Sequence, residues 1–212
     1  MARLTSNSIF GPISGKLGGF VFSNRGGKCY VGAKRAASSK PSSPAQLDHK
    51  AKFRTVVQFL QPFSEFLHIG FKAHGKRKKM SAASAAMSYH FKNALMGSYP
   101  EYGIDCSKVL VSKGTLSGAQ DAAVSLVKAG EIEFTWKDTR YAMSDDQVMA
   151  LVYNPAKREV VFNARGTFRP EEHLTLSLPL TFAGDEVHCY IGFQNARGSE
   201  VSDSQYLGSL RV

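Results

Sequence analysis

Acidic side chains are nearly missing from the first hundred residues of this 212-residue chain, where Asp48 and Glu65 stand against 16 Lys and Arg. That half carries a formal +14; residues 101–212 hold 11 cations against 15 acids, −4, and together they make the overall +10. So lopsided a chain points to a polyanion partner for the basic half, or to attraction between unlike halves of neighbouring copies. Cysteine is scarce too. Cys29, Cys106 and Cys189 are about eighty residues apart, a spacing that fits no zinc or redox motif and leaves one thiol over in any disulfide scheme. Reduced thiols in strands or core are expected, and with them a reducing compartment. Long apolar runs are also lacking. The amino terminus, MARLTSNSIFGPISGKLGG, has no signal-length hydrophobic core, and nowhere do eighteen apolar residues follow one another. The expectation is a cytoplasmic protein, or part of a particle assembled in the cytoplasm, with no membrane partner.

The motifs of catalysis are missing as well. No G-x-S-x-G occurs, and His49, His68, His74, His90, His173 and His188 are scattered without H-x-x-x-H or H-E-x-x-H spacing. His188 and Cys189 are strand neighbours and face opposite ways, which argues against joint ligation. The stretch Gly11-Pro12-Ile13-Ser14-Gly15-Lys16-Leu17 is one residue short of a phosphate-binding loop and ends in Leu rather than a hydroxyl. Asp145-Asp146 and Glu171-Glu172 fall in turns, where solvated charge is the ordinary outcome. No catalytic residue, metal ligand or cofactor is assigned, and the chain reads as non-enzymatic.

What is present is an architecture. A content of 43% hydrophobic residues suffices for a sizeable core. Residues 44–71 organise the chain: Phe53, Val56, Val57, Leu60, Phe63 and Leu67 recur at helical spacing opposite Arg54, Gln58, Gln61, Glu65, His68 and Lys72. Ser43 and Pro44 signal the helix start, and Pro62 should kink or break it. Before it, residues 11–35 read as a glycine-rich lead-in and a β-hairpin turning at Asn24-Arg25-Gly26-Gly27, followed by a linker over 36–44. A lone hairpin is marginal in water, so it must pack on something. After it comes the cation-dense His74–Lys79, placed at the start of a second helix, where it would oppose the macrodipole. That helix shows an apolar face of Met80, Ala83, Met87, Phe91, Ala94 and Leu95, with Gly97 set to end it.

From Tyr99-Pro100 onward the period changes to two. Strands are expected at 107–112, 123–127, 131–136, 147–153, 159–164, 173–179, 186–194 and 204–212, forming an antiparallel sandwich with Trp136 anchoring its core. The fold class is therefore α+β. The expected division is a basic hairpin plus helical module over 1–104 and a β-sandwich over 105–212.

Several blocks carry a resemblance: GPISGKLGGFVF and GGKCYVGAKR, SPAQLDHKAKF, MSAASAAMSYHFKNALMGSYPEYGIDCSKVLVSKGTL, and VHCYIGFQNARGSEVSDSQYL. Together they resemble an uncharacterised domain-of-unknown-function family of Bacteroidota proteins, over nearly the whole chain. The last eighty or so residues separately look like a fibronectin type III or immunoglobulin-like sandwich, with Trp136 on an early strand and the Tyr190 to Tyr206 region as the final hairpin. The family implies no activity, so no site residue is carried over from it.

Binding remains. Lys16, Arg25, Lys28, Lys34, Arg35 and Lys40 interleave with Phe20, Phe22 and Tyr30, and Lys76, Arg77, Lys78 and Lys79 follow. Cations neutralise phosphates and exposed aromatics stack bases, so this mixture suits a polyanion site; Gly15-Lys16-Leu17-Gly18 also matches the short G-x-x-G clamp of some RNA-binding domains. The leading expectation is a structural or assembly protein, such as a component of a phage-like or other multi-copy particle, whose partner is itself or another protein. The alternative is a nucleic-acid-binding module using the basic half.

Overall fold

The computed structural model describes residues 2–4, 14–25, 28–36, 41–139, 142–165 and 167–212, and the chain divides into units 1–43 and 44–212. The first unit is an antiparallel sheet of β1 (Ala2–Leu4), β2 (Gly15–Leu17), β3 (Phe20–Arg25) and β4 (Lys28–Ala33), ordered β1-β4-β3-β2. The expected hairpin is β3–β4, with Arg25 opposite Lys28; Gly26 and Gly27 of its turn lie outside the described residues. The lead-in is itself a strand. β2 folds back on β3 through Gly18-Gly19, and Gly18, at φ +54, takes the left-handed conformation this tight reversal uses.

Register makes this sheet two-faced. Cross-strand partners share a side, so Leu17, Phe20, Phe22, Cys29, Val31 and Ala33 fall on one face and Lys16, Val21, Ser23, Lys28 and Tyr30 on the other. No residue of 14–36 whose side chain is described is buried.

The second unit opens with α1 (Pro44–Leu60), which stops just before Pro62, and resumes as α2 (Ser64–Gly70) after the expected break. α3 (Lys72–Arg77) and α4 (Ala82–Asn93) follow, the latter capped by Ser81, whose hydroxyl accepts the Ser84 N–H at 3.1 Å. Three local expectations are corrected here. Lys76 and Arg77 close α3 instead of opening a helix, so they sit at its carbonyl end, where cations are favoured. Gly97 does not end α4; at φ +91 it belongs to β5 (Leu95–Ser98), which pairs with β6 (Glu101–Ile104), and a Cβ there would come within 2.6 Å of the Glu101 carbonyl oxygen. The buried face of α4 is Ala85, Ala86 and His90, while Met80 and Ala83 are exposed and Met87 and Phe91 only partly covered.

β7 (Gln120–Lys128), β8 (Glu131–Lys137), β9 (Gln147–Asn154), β10 (Glu159–Asn163), β11 (His173–Ser177), β12 (Glu186–Gln194) and β13 (Gln205–Arg211) form two antiparallel sheets, β11-β8-β7 and β10-β9-β12-β13. β10 pairs back on β9 rather than joining the sheet of β11. This departs from the constant-type immunoglobulin order, in which the fourth strand joins the sheet of the first, second and fifth. The segment 107–112, expected as an eighth strand, is a 3₁₀ turn and a strap. Its alternation does bury Val109 and Val111, but the amides of Val111 and Ser112 donate to the Ser204 hydroxyl (2.9 and 3.3 Å) and the Lys113 amide to the Gly70 carbonyl (2.9 Å), so no ladder forms.

Two cores share the four-stranded sheet. Val148, Ala150 and Val152 of β9 and Val187, Cys189, Ile191 and Phe193 of β12 face Ile132, Phe134, Leu174 and Leu176 across the sandwich. Trp136 is there as expected, 2% exposed, donating its indole N–H to the Arg169 carbonyl at 2.7 Å. Met149, Leu151, Tyr153 and Tyr190 point the other way, into a core completed by Val56, Leu60, Phe63, Phe66, Leu67 and Phe71 of the helical segment. The helices therefore share their core with the sandwich, and no division falls between 104 and 105; the one at 43/44 separates the amino-terminal sheet alone.

Candidate functional site

The cations singled out by sequence fall on two separate units. Lys16 (β2), Lys28 (β4), Lys34 and Arg35 are all exposed, and Lys34 donates its backbone N–H to the Gly19 carbonyl at 2.7 Å. Arg25 takes a register position on the face of Lys28, its side chain lying outside the described residues, as does Lys40 altogether. Phe20 and Phe22 are not interleaved with these cations. They stand on the opposite face, because the cations fall in register with Val21 and Arg25, which alternate with Phe20 and Phe22 along β3, and only Tyr30 of the three aromatics shares the side of Lys16 and Lys28. The G-x-x-G segment is strand and turn, while residues 11–13 of the near phosphate loop lie outside the described residues.

Lys76, Arg77, Lys78 and Lys79 are exposed on the second unit, at the α3–α4 reversal where Lys79 takes φ +56. Arg77 is already engaged, 3.3 Å from Glu200, whose carboxylate also accepts the Thr115 hydroxyl at 3.3 Å. Lys113, which the sequence reading passed over, joins the cluster from the strap. Its ammonium lies over the Tyr89 ring and 3.4 Å from Asp203. Burial and then the charges of Lys78, Lys113 and Arg77 hold the His74 imidazole below its ordinary pKa, so this corner is electropositive despite its two acids. Lys76, Lys78 and Lys79 make no ion pair among the described residues.

The buried polar groups serve the framework. Arg169 is wholly buried: its guanidinium donates to the carbonyls of Ser117 (2.8 Å) and Gly118 (3.1 Å), pairs with Asp146 at 3.4 Å and stacks 3.6 Å from the Phe193 ring. Asp146 is correspondingly buried, where solvated charge was expected; burial raises its carboxyl pKa against the pull of Arg169. Asp48 accepts from Lys52 (2.8 Å) and from the Tyr102 hydroxyl, and both lower its pKa. Cys189 is buried, its thiol pushed up to about 12, and Cys106 is raised by burial too. His188 turns away from Cys189 to meet the Tyr206 hydroxyl at 2.9 Å. Among the described residues no cluster of three His, Cys, Asp or Glu could hold a metal ion, and no helix is long and apolar enough to cross a membrane.

The chain belongs to the family described as "Family of unknown function (DUF6266)", which matches residues 12–208. No curated protein matches it. Among solved structures it is similar to the fn3 domain of human collagen alpha-1(XX) chain, at 16% identity over 48% of this chain and 90% of that one, with a TM-score of 0.33.

Proposed function

We propose that this family member is a non-enzymatic assembly component of a multi-copy particle that works through protein–protein contacts, with the apolar face of its amino-terminal sheet closing against the same face of another copy. The observation that carries this is the sheet's two-sidedness. Leu17 and Phe20, 71% and 57% exposed, share a face with Phe22, Val31 and Ala33, and none of the described side chains of 14–36 is buried. So small a sheet needs a covered face to be stable. Packing apolar side on apolar side covers it and leaves the basic sides, with Lys16 and Lys28, outward. Light scattering after size exclusion tests this, with the 260/280 nm absorbance ratio read at low and high salt. The expected result is a defined oligomer free of nucleic acid that falls to monomer in Phe20→Asp. A strictly monomeric wild type at high concentration overturns it.

The electropositive corner around His74 favours a second reading, contact with nucleic acid. On that reading affinity falls with salt at a log–log slope near about −0.9 per duplex phosphate contacted, and replacing Lys76, Lys78 and Lys79 with Ala flattens it. An unchanged slope removes the run from any such site.

A further inference from the structure

The helical faces that periodicity assigns to the core partly meet in the open instead. Val56 and Leu60 of α1 and Ala85, Ala86 and His90 of α4 fill the interior. The neighbouring apolar residues of the same helices flank a groove of about 400 Å³, lined by His49, Phe53, Ala83, Met87, Phe91 and Lys92. Phe53 is 49% exposed there, and the His49 ring lies against that of Phe91 at 5.3 Å between centroids. One helix turn beyond Phe53, Val57 is exposed as well. Met87 and Phe91 back onto the core with one side and present the other to the groove, while Phe53 and Ala83 are exposed and belong to no core.

Its lining carries one cation, Lys92, and no carboxylate, and the helices that form it belong to a basic stretch. Residues 44–98 carry nine Lys and Arg against Asp48 and Glu65. Neither acid lines the groove: Asp48 is held by Lys52 and Tyr102, and Glu65 belongs to α2. We infer that the α1–α4 groove docks a short segment of a different protein, apolar where it enters and acidic beside its anchors. The charges favour that occupant: Asp or Glu next to the anchors meets Lys92 and the basic helices. The chain's own amino-terminal segment, residues 1–43, has seven Lys and Arg and no acid, and groove-on-groove packing of two copies repeats the same positive surround, so either would bring like charges together; the acidic half of a copy offers its carboxylates from strands and turns and, among the described residues, no acidic apolar helix to fit a two-helix bed. Met87 supplies a flexible, polarisable wall that adapts to branched or aromatic anchors, and anchors spaced one helical turn apart match a bed formed by two helices.

This rests on the interaction reading above but concerns a different surface. Selection of a random dodecapeptide library on the immobilised full chain tests it. The expected winners carry Leu, Ile, Phe or Trp flanked by Asp or Glu. Made synthetically, they bind the wild type and lose about tenfold or more in affinity on Ala83→Arg, whose unchanged thermal melt shows that it is folded. Lys92→Glu weakens the same peptides and strengthens versions in which Lys replaces the acids. No enrichment, winners without acids, or equal binding to Ala83→Arg each overturn the inference. A wild-type dimer dispersed by Ala83→Arg makes a second copy the occupant and overturns it too. Peptide binding that survives Phe20→Asp leaves the groove standing whatever becomes of the amino-terminal sheet, and oligomers with a bare groove leave only the sheet.

Discussion

In β8 burial alternates, with Ile132, Phe134 and Trp136 inside and Glu131, Glu133 and Thr135 only partly covered; in β9 every residue from Val148 to Asn154 is buried. The two strands belong to opposite sheets of one sandwich and are nearly equal in length. What differs is the layer outside. β9 and β12 carry the helices on their outer face through Met149, Leu151, Tyr153 and Tyr190, and no outward residue of β8 belongs to either core. A strand covered on one side needs alternation, and one covered on both needs a nearly continuous apolar run. The helices are thus the third layer of the sandwich domain, with the four-stranded sheet as its middle.

The largest test of that comparison is one large-to-small change on each side of the middle sheet. Phe63→Ala, in the core the helices share with β9, and Trp136→Ala, between the sheets, should each cost about 3–5 kcal/mol. In both, helical circular dichroism and a tertiary probe should move through one coincident urea transition. Helices that melt separately in Phe63→Ala, leaving Trp136 fluorescence in place, would break the three-layer description.

His90 offers the next effect, about 3 kcal/mol, and it sharpens the same point because the residue lies wholly inside the helical core. Its Nδ1 meets the Ala86 carbonyl at 2.7 Å and its Nε2 makes no full hydrogen bond among the described residues, and burial lowers its pKa from 6.5 to about 4. Below pH 6.5 the unfolded chain takes the proton first. Stability from this group is therefore complete above about 6.5 and declines as pH falls toward 4. His74 and His188 are lowered in the same sense, so the reading is the difference between wild type and His90→Gln in urea melts across that window. A difference that stays flat with pH would place the His90 ring in contact with water. Gly70→Ala should follow at about 2 kcal/mol, since a Cβ there runs into the Val111 carbonyl and lies 2.8 Å from the Ser112 Cα where the strap crosses α2.

Legibility in the sequence followed the same divide. The seven sandwich strands, the break at Pro62 and the place of Trp136 could be read from period, proline and composition, because each is a local signal. The 107–112 strap could not: its alternation is that of a strand, and only the distant Ser204 hydroxyl and Gly70 carbonyl take its backbone out of a ladder. Nor could Arg169, which in a turn beside Pro170 looks solvated and becomes buried only because Asp146, Ser117 and Gly118 converge on it. Helical period finds apolar side chains without saying which of two adjacent stripes meets the core, so it does not separate Phe53, which is exposed, from Val56 and Leu60, which are buried. The candidate cations were visible one by one. Their separation from Phe20 and Phe22 was not, because it depends on register.

The smallest prediction tests the open side of the comparison directly. Glu133 stands in the centre of the β11-β8-β7 sheet on its outer face, across from Ser125 and Thr175, and makes no ion pair among the described residues. Replacing it with Thr keeps strand propensity and removes one solvated charge, so the change in unfolding free energy should stay within about 0.5 kcal/mol. The matching change on the covered side, Leu151→Thr, puts a hydroxyl among Phe63, Tyr153 and Tyr190 and should cost several times more. Equal costs at the two positions in paired melts would mean that the outer face of β8 is covered as thoroughly as that of β9. A face covered in the assembly but open in the monomer would give equal costs only at concentrations where light scattering finds the oligomer.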